Sequence, residues 1–246
     1  MRPLIESTRS PEAPPLALEE AHVWHIETDV SDVMADRMRA RLAAPERARA
    51  ERIRHAGARR GFVVARASLR ALLGHYLATT AELELQLSPY GKPQLAQAHA
   101  GRLHFSVAHS GNLAMLAFGY ADLGVDIERI RPVSRVGQII GRVFSASARS
   151  VLETVPADDL WPAFFAAWTQ REALVKAVGG GMFATVDPLD FVWPSPGRPR
   201  HFVEPLEAGE SRTWTVAHLD APAPFAAALV VAAPIQRVLR FSLGAE

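Results

Sequence analysis

Two long helical segments, each embedded in the same order of strands and shorter helices, constrain this chain more than any other feature. Over residues 59–78, Phe62, Val63, Leu69, Leu72, Leu73, Tyr76 and Leu77 fall on one helical face. Residues 160–178 form the second such helix, with Pro162 near its first turn. Ahead of the first, residues 22–27 alternate like a strand, Ser31 caps a helix running to about residue 42, and another helix follows Pro45. Behind it, residues 83–95 read as strand, turn and strand, with Tyr90-Gly91-Lys92-Pro93 at the turn, and two further strands flank Gly111-Asn112. The second half repeats the order: a strand at 124–128, helices at 135–144 and 147–155, the long helix, then strands at 189–193, 213–219 and 225–232. One-sided helices and strands must bury their apolar faces on one another, which predicts an α+β protein of two lobes. The seam falls near residues 121–123. Residues 1–20 are then an N-terminal surface tail without periodicity, 21–122 the first lobe and 123–246 the second, and a cleft between lobes is the favoured ligand site.

Composition narrows the function classes. With 246 residues, 49% of them hydrophobic, the chain can build a sizeable core, yet no apolar run reaches the roughly 18 residues of a membrane span. The N-terminus carries acids and prolines in place of a secretory signal, so a soluble cytoplasmic protein is expected. The absence of cysteine excludes disulfides, thiolate metal sites and a cysteine nucleophile. A net charge of +1 argues against general nucleic-acid binding, although eleven arginines crowd residues 37–70. They read either as a solvated helical face or as a site for a small polyanion. Of 27 basic residues only Lys92 and Lys176 are lysines, and a compact ammonium is not interchangeable with a guanidinium where a point charge must meet a phosphate.

Three stretches carry candidate chemistry. In Val125-Asp126-Ile127-Glu128 the strand period puts both carboxylates on one face, which is half of a magnesium site or the wet side of an edge strand. Glu172 and Lys176 are spaced i, i+4 and share a helical face with Trp168. Such pairs are commonly solvated, but the neighbouring Phe164, Phe165, Leu174 and Val175 make this helix largely buried, where charges need partners. The strand at 104–110 ends in His109-Ser110-Gly111, and His109 is either structural or a donor to a diphosphate. A serine-hydrolase elbow, a P-loop, a dinucleotide fingerprint and an HExxH helix are all missing, and Gly179-Gly180-Gly181 reads as a helix stop.

In order, Y-G-K-P, F-S-V-A-H-S-G, G-V-D-I-E and W-T-Q-R-E-A-L-V-K resemble the signature blocks of the surfactin-synthetase-type phosphopantetheinyl transferases, over roughly residues 47–192. The resemblance implies a pseudo-dimer of two α+β lobes, each with a long helix on an antiparallel sheet, binding CoA in the cleft between them. It implies that Asp126, Glu128 and Glu172 bind Mg2+, with Glu172 and Lys176 catalytic. Arg59, Arg66, Gly91, Lys92, Pro93, Ala108 and His109 become the CoA-binding positions, the two arginines gripping its 3′-phosphate. The first lobe is then the CoA side, and the second holds the magnesium site and catalytic helix. Three departures stand out. Ala108 replaces a common serine or threonine, Arg171 replaces a common lysine, and residues 145–148 lack the acid found in many relatives. The serine proton is therefore expected to go to Glu172, directly or through a water, or to a metal-bound hydroxide.

The implied partners are CoA and apo acyl or peptidyl carrier proteins, with no nucleic acid or membrane, and the two-lobed chain is expected to be a monomer. Two other classes compete: a non-catalytic CoA- or nucleotide-binding module, and an interaction protein whose arginine-rich helices bind an acidic partner.

Overall fold

The computed structural model describes residues 5–8, 14–96, 101–179, 199–206 and 210–243. Strands β1 (Ile5–Thr8) and β2 (Glu20–Glu27) precede helices α1 (Asp32–Arg39), α2 (Ala44–Arg52) and α3 (Ala56–Tyr76). Next come β3 (Leu85–Leu87), β4 (Pro93–Leu95), β5 (His104–Ser110), β6 (Leu113–Gly119) and β7 (Leu123–Arg129). Helices α4 (Val136–Val143), α5 (Ala146–Glu153) and α6 (Leu160–Val178) lead to β8 (Arg200–Pro205), β9 (Ser211–Leu219), β10 (Phe225–Val231) and β11 (Arg237–Leu243).

Local sequence accounts for most of these boundaries. The Ser31 hydroxyl accepts from Met34 N at 3.3 Å and starts α1, while Glu46 reaches back to Ala43 N at 3.1 Å and starts α2. The β3–β4 turn closes through Gly91 N to Ser88 O at 2.8 Å, with Gly91 at φ 82°, a conformation that favours glycine. The strand expected at 189–193 lies outside the described residues.

The expected α+β class is what the chain adopts. A five-stranded sheet, β1-β11-β2-β6-β5, packs face to face on a four-stranded sheet, β7-β10-β9-β8. Val23, Met115 and Ala117 of the first meet Val125, Ile127, Ala227 and Leu229 of the second in one buried layer. Helix α3 covers the outer face of the first sheet through Val64, Leu69 and Leu73 against Trp24, Phe105 and Phe118. Helix α6 covers the second through Ala173, Leu174 and Ala177 against Trp214, Val216 and Val230. The sheets are also stitched at their edges, where Val125 N donates to Ser106 Oγ at 3.1 Å.

Two features differ from the sequence expectation. The last strand, β11, does not extend the second sheet but lies inside the first, parallel to both β1 and β2, so that sheet is not purely antiparallel. Leu239 and Phe241 pack under α3 and Val238 packs between the sheets, while Arg240 and Ser242 on the Val238 face are half-buried and exposed. Residues 5–8, expected to belong to a loose tail, add the edge strand β1, and Leu16 joins the core under α3.

The first sheet also encloses a polar cluster. His22 is fully buried, with Nδ1 2.7 Å from the Tyr76 hydroxyl, which also accepts from Trp24 Nε1 at 2.9 Å. Burial drives the His22 imidazole down to about 4, against the opposing pull of Glu20. The unfolded chain therefore binds a proton that the folded chain refuses. This group's contribution is complete above pH 6.5 and lost as pH falls towards 4, with a ceiling of about 3 kcal/mol. Urea unfolding of the protein and of His22→Gln at pH 7, 5.5 and 4.5 should show the variant spared this acid loss. Parallel pH profiles for the two proteins would contradict it.

Candidate active site

The site begins with a close approach of backbones. At Gly124 a Cβ would lie 1.9 Å from Ala173 O and 2.7 Å from Ala177 N, so α6 rests directly on β7 with no side chain between them. Strand alternation then sends Val125 and Ile127 into the layer between the sheets and turns Asp126 and Glu128 towards the α6 side. Because the helix lies so close, the Lys176 ammonium reaches Asp126 Oδ1 at 2.7 Å and the Val125 carbonyl at 3.1 Å.

The acids at this junction are held differently. Asp126 is 6% exposed, and its carboxyl is pushed up to about 6, first by burial and then by the like charges of Glu128 and Glu172, with Lys176 opposing. Its Oδ2 is buried without a hydrogen-bond partner among the described residues. Glu128 Oε2 accepts from Ser110 Oγ at 2.8 Å, and the same hydroxyl accepts from Arg129 N at 3.0 Å. Glu172 Oε1 accepts from Arg171 Nη1 at 2.9 Å, and Arg171 Nε donates to Val143 O at 3.2 Å. The three expected metal acids thus feel one another electrostatically, but each has its own protein partner. Among the described residues no three His, Asp or Glu side chains are gathered closely enough to hold a metal ion.

Beside this junction lies a cleft of about 260 Å³. Of the expected residues, Arg66, Gly91, Lys92, Pro93, His109 and Lys176 line it. Two do not. Arg59 is exposed near the start of α3 and donates to Ile53 O at 3.4 Å, while the Ala108 side chain is buried between the sheets. The cleft instead takes Arg49 from α2, which sequence reasoning left within the arginine run. The Arg49 and Arg66 guanidinium carbons stand 5.3 and 5.6 Å from the Phe62 ring centroid. Glu46 fixes α2 against α3 by accepting from Arg70 Nε at 2.6 Å, which brings Arg49 to this ring. Arg66 is 8% exposed and has no hydrogen bond or ion pair among the described residues; burial lowers its pKa, Glu46 opposing. A buried guanidinium with open donors at a cleft wall suits an anionic ligand.

Lys92 enters the cleft wall from the β3–β4 turn, but its ammonium is engaged elsewhere. It donates to Leu123 O at 3.0 Å and to Lys176 O at 2.7 Å. Burial lowers its pKa, with Asp122 opposing and Lys176 reinforcing. The cleft therefore has cations along its walls and, at the β7–α6 junction, a lysine paired with a buried carboxylate. Such an arrangement can bind a polyphosphate and stabilise charge developing on it.

Comparison with known proteins gives concordant matches. The family model for the 4'-phosphopantetheinyl transferase superfamily matches residues 122–231. The 4'-phosphopantetheinyl transferase HetI of Nostoc sp. is 33% identical over 184 residues, covering 73% of this chain and 78% of the relative. The 4'-phosphopantetheinyl transferase ffp of Bacillus subtilis is 26% identical over 164 residues, 66% of this chain and 71% of the relative. The 4'-phosphopantetheinyl transferase Sfp of Bacillus subtilis is 29% identical over 112 residues, 46% of this chain and 48% of the relative.

Proposed function

Because the chain belongs to the 4'-phosphopantetheinyl transferase superfamily, we propose that it moves the phosphopantetheine arm of CoA onto a serine of an acyl or peptidyl carrier protein. The observation that carries this reading is the pairing of Lys176 with the buried Asp126 beside a cleft lined by Arg49, Arg66 and His109. Those cations suit the phosphates of CoA, the guanidiniums as bidentate donors and His109 as a single donor to the diphosphate.

The donor chemistry suits a magnesium ion, although the three carboxylates are not drawn together in this structure and Glu128 and Glu172 would have to turn from Ser110 and Arg171 to share it. Magnesium takes hard oxygen ligands, and the unpartnered, buried Oδ2 of Asp126 is an oxygen of that kind, within the electrostatic reach of two further carboxylates. Asp126, Glu128 and Glu172 would hold it, and it would supply neutralisation of charge on the CoA pyrophosphate. The protein's own groups account for the remaining steps. The carrier serine Oγ attacks the phosphorus bearing the pantetheine arm, and the bond from that phosphorus to the bridging oxygen breaks. Adenosine 3′,5′-bisphosphate leaves, and the serine proton passes to Glu172. Lys176, held at Val125 O and Asp126, stabilises the negative charge on the transferring group, and His109 donates to the diphosphate.

In this reading residues 21–122 supply the CoA side and 123–246 the acids and catalytic helix. Among the described residues no helix is long and apolar enough to cross a membrane; the proposed site of action is the cytoplasm. The two sheets close on each other within one chain, which accords with a monomer.

The test is incubation with CoA, magnesium and a panel of apo carriers from fatty-acid, polyketide and peptide systems. Each accepted carrier should gain the mass of one phosphopantetheine. CoA binding without a mass gain on any carrier would instead support a non-catalytic binding module.

A further inference from the structure

The chain's only two lysines meet at the β7–α6 junction and brace it from opposite sides of Gly124. Lys92 donates to Leu123 O, the residue before Gly124, and Lys176 donates to Val125 O, the residue after it. Lys92 also donates to Lys176 O, a last-turn carbonyl of α6 that accepts from Gly179 N at 3.3 Å as well. One ammonium therefore ties the β3–β4 turn to the backbone of the residue whose own ammonium sits on Asp126. Resting on the transferase reading above, we infer that Lys92 is a positioning residue: it sets the Lys176 ammonium for transfer by anchoring the Lys176 backbone, and does not act chiefly as a CoA phosphate contact.

The geometry leaves little tolerance. A Cβ on Gly124 would be 2.8 Å from Lys176 Cβ, so the helix cannot settle closer to the strand if its anchor is lost. It can only slide or lift. A displacement of about 1 Å at a catalytic group costs up to roughly 10²-fold in rate. The ammonium also suits a helix C-terminus, where open carbonyls concentrate negative charge. A thioether in its place would remove this donor from Leu123 O and leave Lys176 O with Gly179 N alone.

The experiment separates turnover from CoA binding. In Lys92→Met, kcat at saturating CoA should fall about 10- to 100-fold, while the Kd for CoA, measured by calorimetry, stays within about twofold of the parent. Lys176→Met added to Lys92→Met should lower kcat no further than Lys176→Met alone, because both act through one ammonium. A rise of about tenfold or more in the Kd with kcat retained would make Lys92 a direct CoA contact and overturn the inference, as would losses that multiply in the double variant. A purely structural role would lower thermal stability without this kinetic pattern. If Lys92→Met does not fold, Lys92→Gln, which keeps one donor, goes through the same measurements.

One readout is independent of transfer. With two lysines in the chain, protein labelled with 15N-lysine gives two side-chain ammonium resonances, and Lys92→Met should remove one and displace the other. An undisplaced Lys176 resonance overturns the positioning role even if no carrier is ever accepted, whereas a wild-type protein inactive on every carrier refutes only the transferase reading.

Discussion

Gly124→Ala should cost about 3 kcal/mol or more of stability, lowering the melting temperature by roughly 6–12 °C, and should abolish transfer even where the variant remains folded. The added methyl carbon would stand 1.9 Å from a carbonyl oxygen and 2.7 Å from a backbone nitrogen of α6. Neither neighbour is the tip of a flexible side chain. The whole helix must move, and it carries Leu174 and Ala177 in the core, Glu172 in the acid cluster and Lys176 on Asp126. A helix lifted by even 1 Å separates Lys176 from both of its acceptors. Thermal melts and the carrier mass assay on the same preparation test this directly. A melting temperature and activity equal to the parent's would mean that α6 does not rest on β7 in solution.

The same junction shows which parts of the site could be read from sequence. Asp126 and Glu128 were assigned to one face by strand period alone, and Glu172 and Lys176 to one helical face by i, i+4 spacing. Both inferences are local, and the structure keeps α6 at the expected residues 160–178. The contact that makes these faces meet depends on Gly124, which carries no periodic signal because its role is to offer no side chain. Lys92 was singled out by rarity, but its acceptors are backbone atoms 31 and 84 residues away, and no spacing rule reaches them. The arginines illustrate the same limit. Arg59 and Arg66 come from the family resemblance, yet the cleft takes Arg66 with Arg49, because the Glu46–Arg70 pair sets α2 against α3. Strand β11 was missed for a topological reason. It enters between β1 and β2 of a sheet formed otherwise by the first half of the chain, a pairing that the local alternation of Leu239, Phe241 and Leu243 with Arg240 and Ser242 does not specify.

Asp126→Asn should separate activity from stability. Transfer is expected to fall by about 10³-fold, because the variant loses the charge opposite Lys176 and the carboxylate oxygen best suited to a magnesium ion. Stability at pH 7 in metal-free buffer should stay within about 1 kcal/mol of the parent or exceed it, since the substitution removes a buried charge whose Oδ2 has no protein partner. The Lys176 side chain is 28% exposed and can turn to solvent when its partner becomes neutral.

The pH dependence gives this prediction a sign. Asp126 has its carboxyl raised from 3.8 to about 6 in the folded chain, so its favourable contribution is complete below pH 3.8 and disappears as pH rises through 6. His22 works in the opposite sense over nearly the same interval, losing its contribution as pH falls from 6.5 towards 4. Each amounts to about 3 kcal/mol at most, and in the parent they largely cancel. Asp126→Asn removes the compensating group and should make metal-free stability fall more steeply towards pH 4 than the parent's. His22→Gln should do the reverse and make the protein more stable on mild acidification. Urea titrations of the three proteins across pH 4–7 decide the matter, and a parent slope unchanged by either substitution would show that neither buried group titrates against its unfolded value.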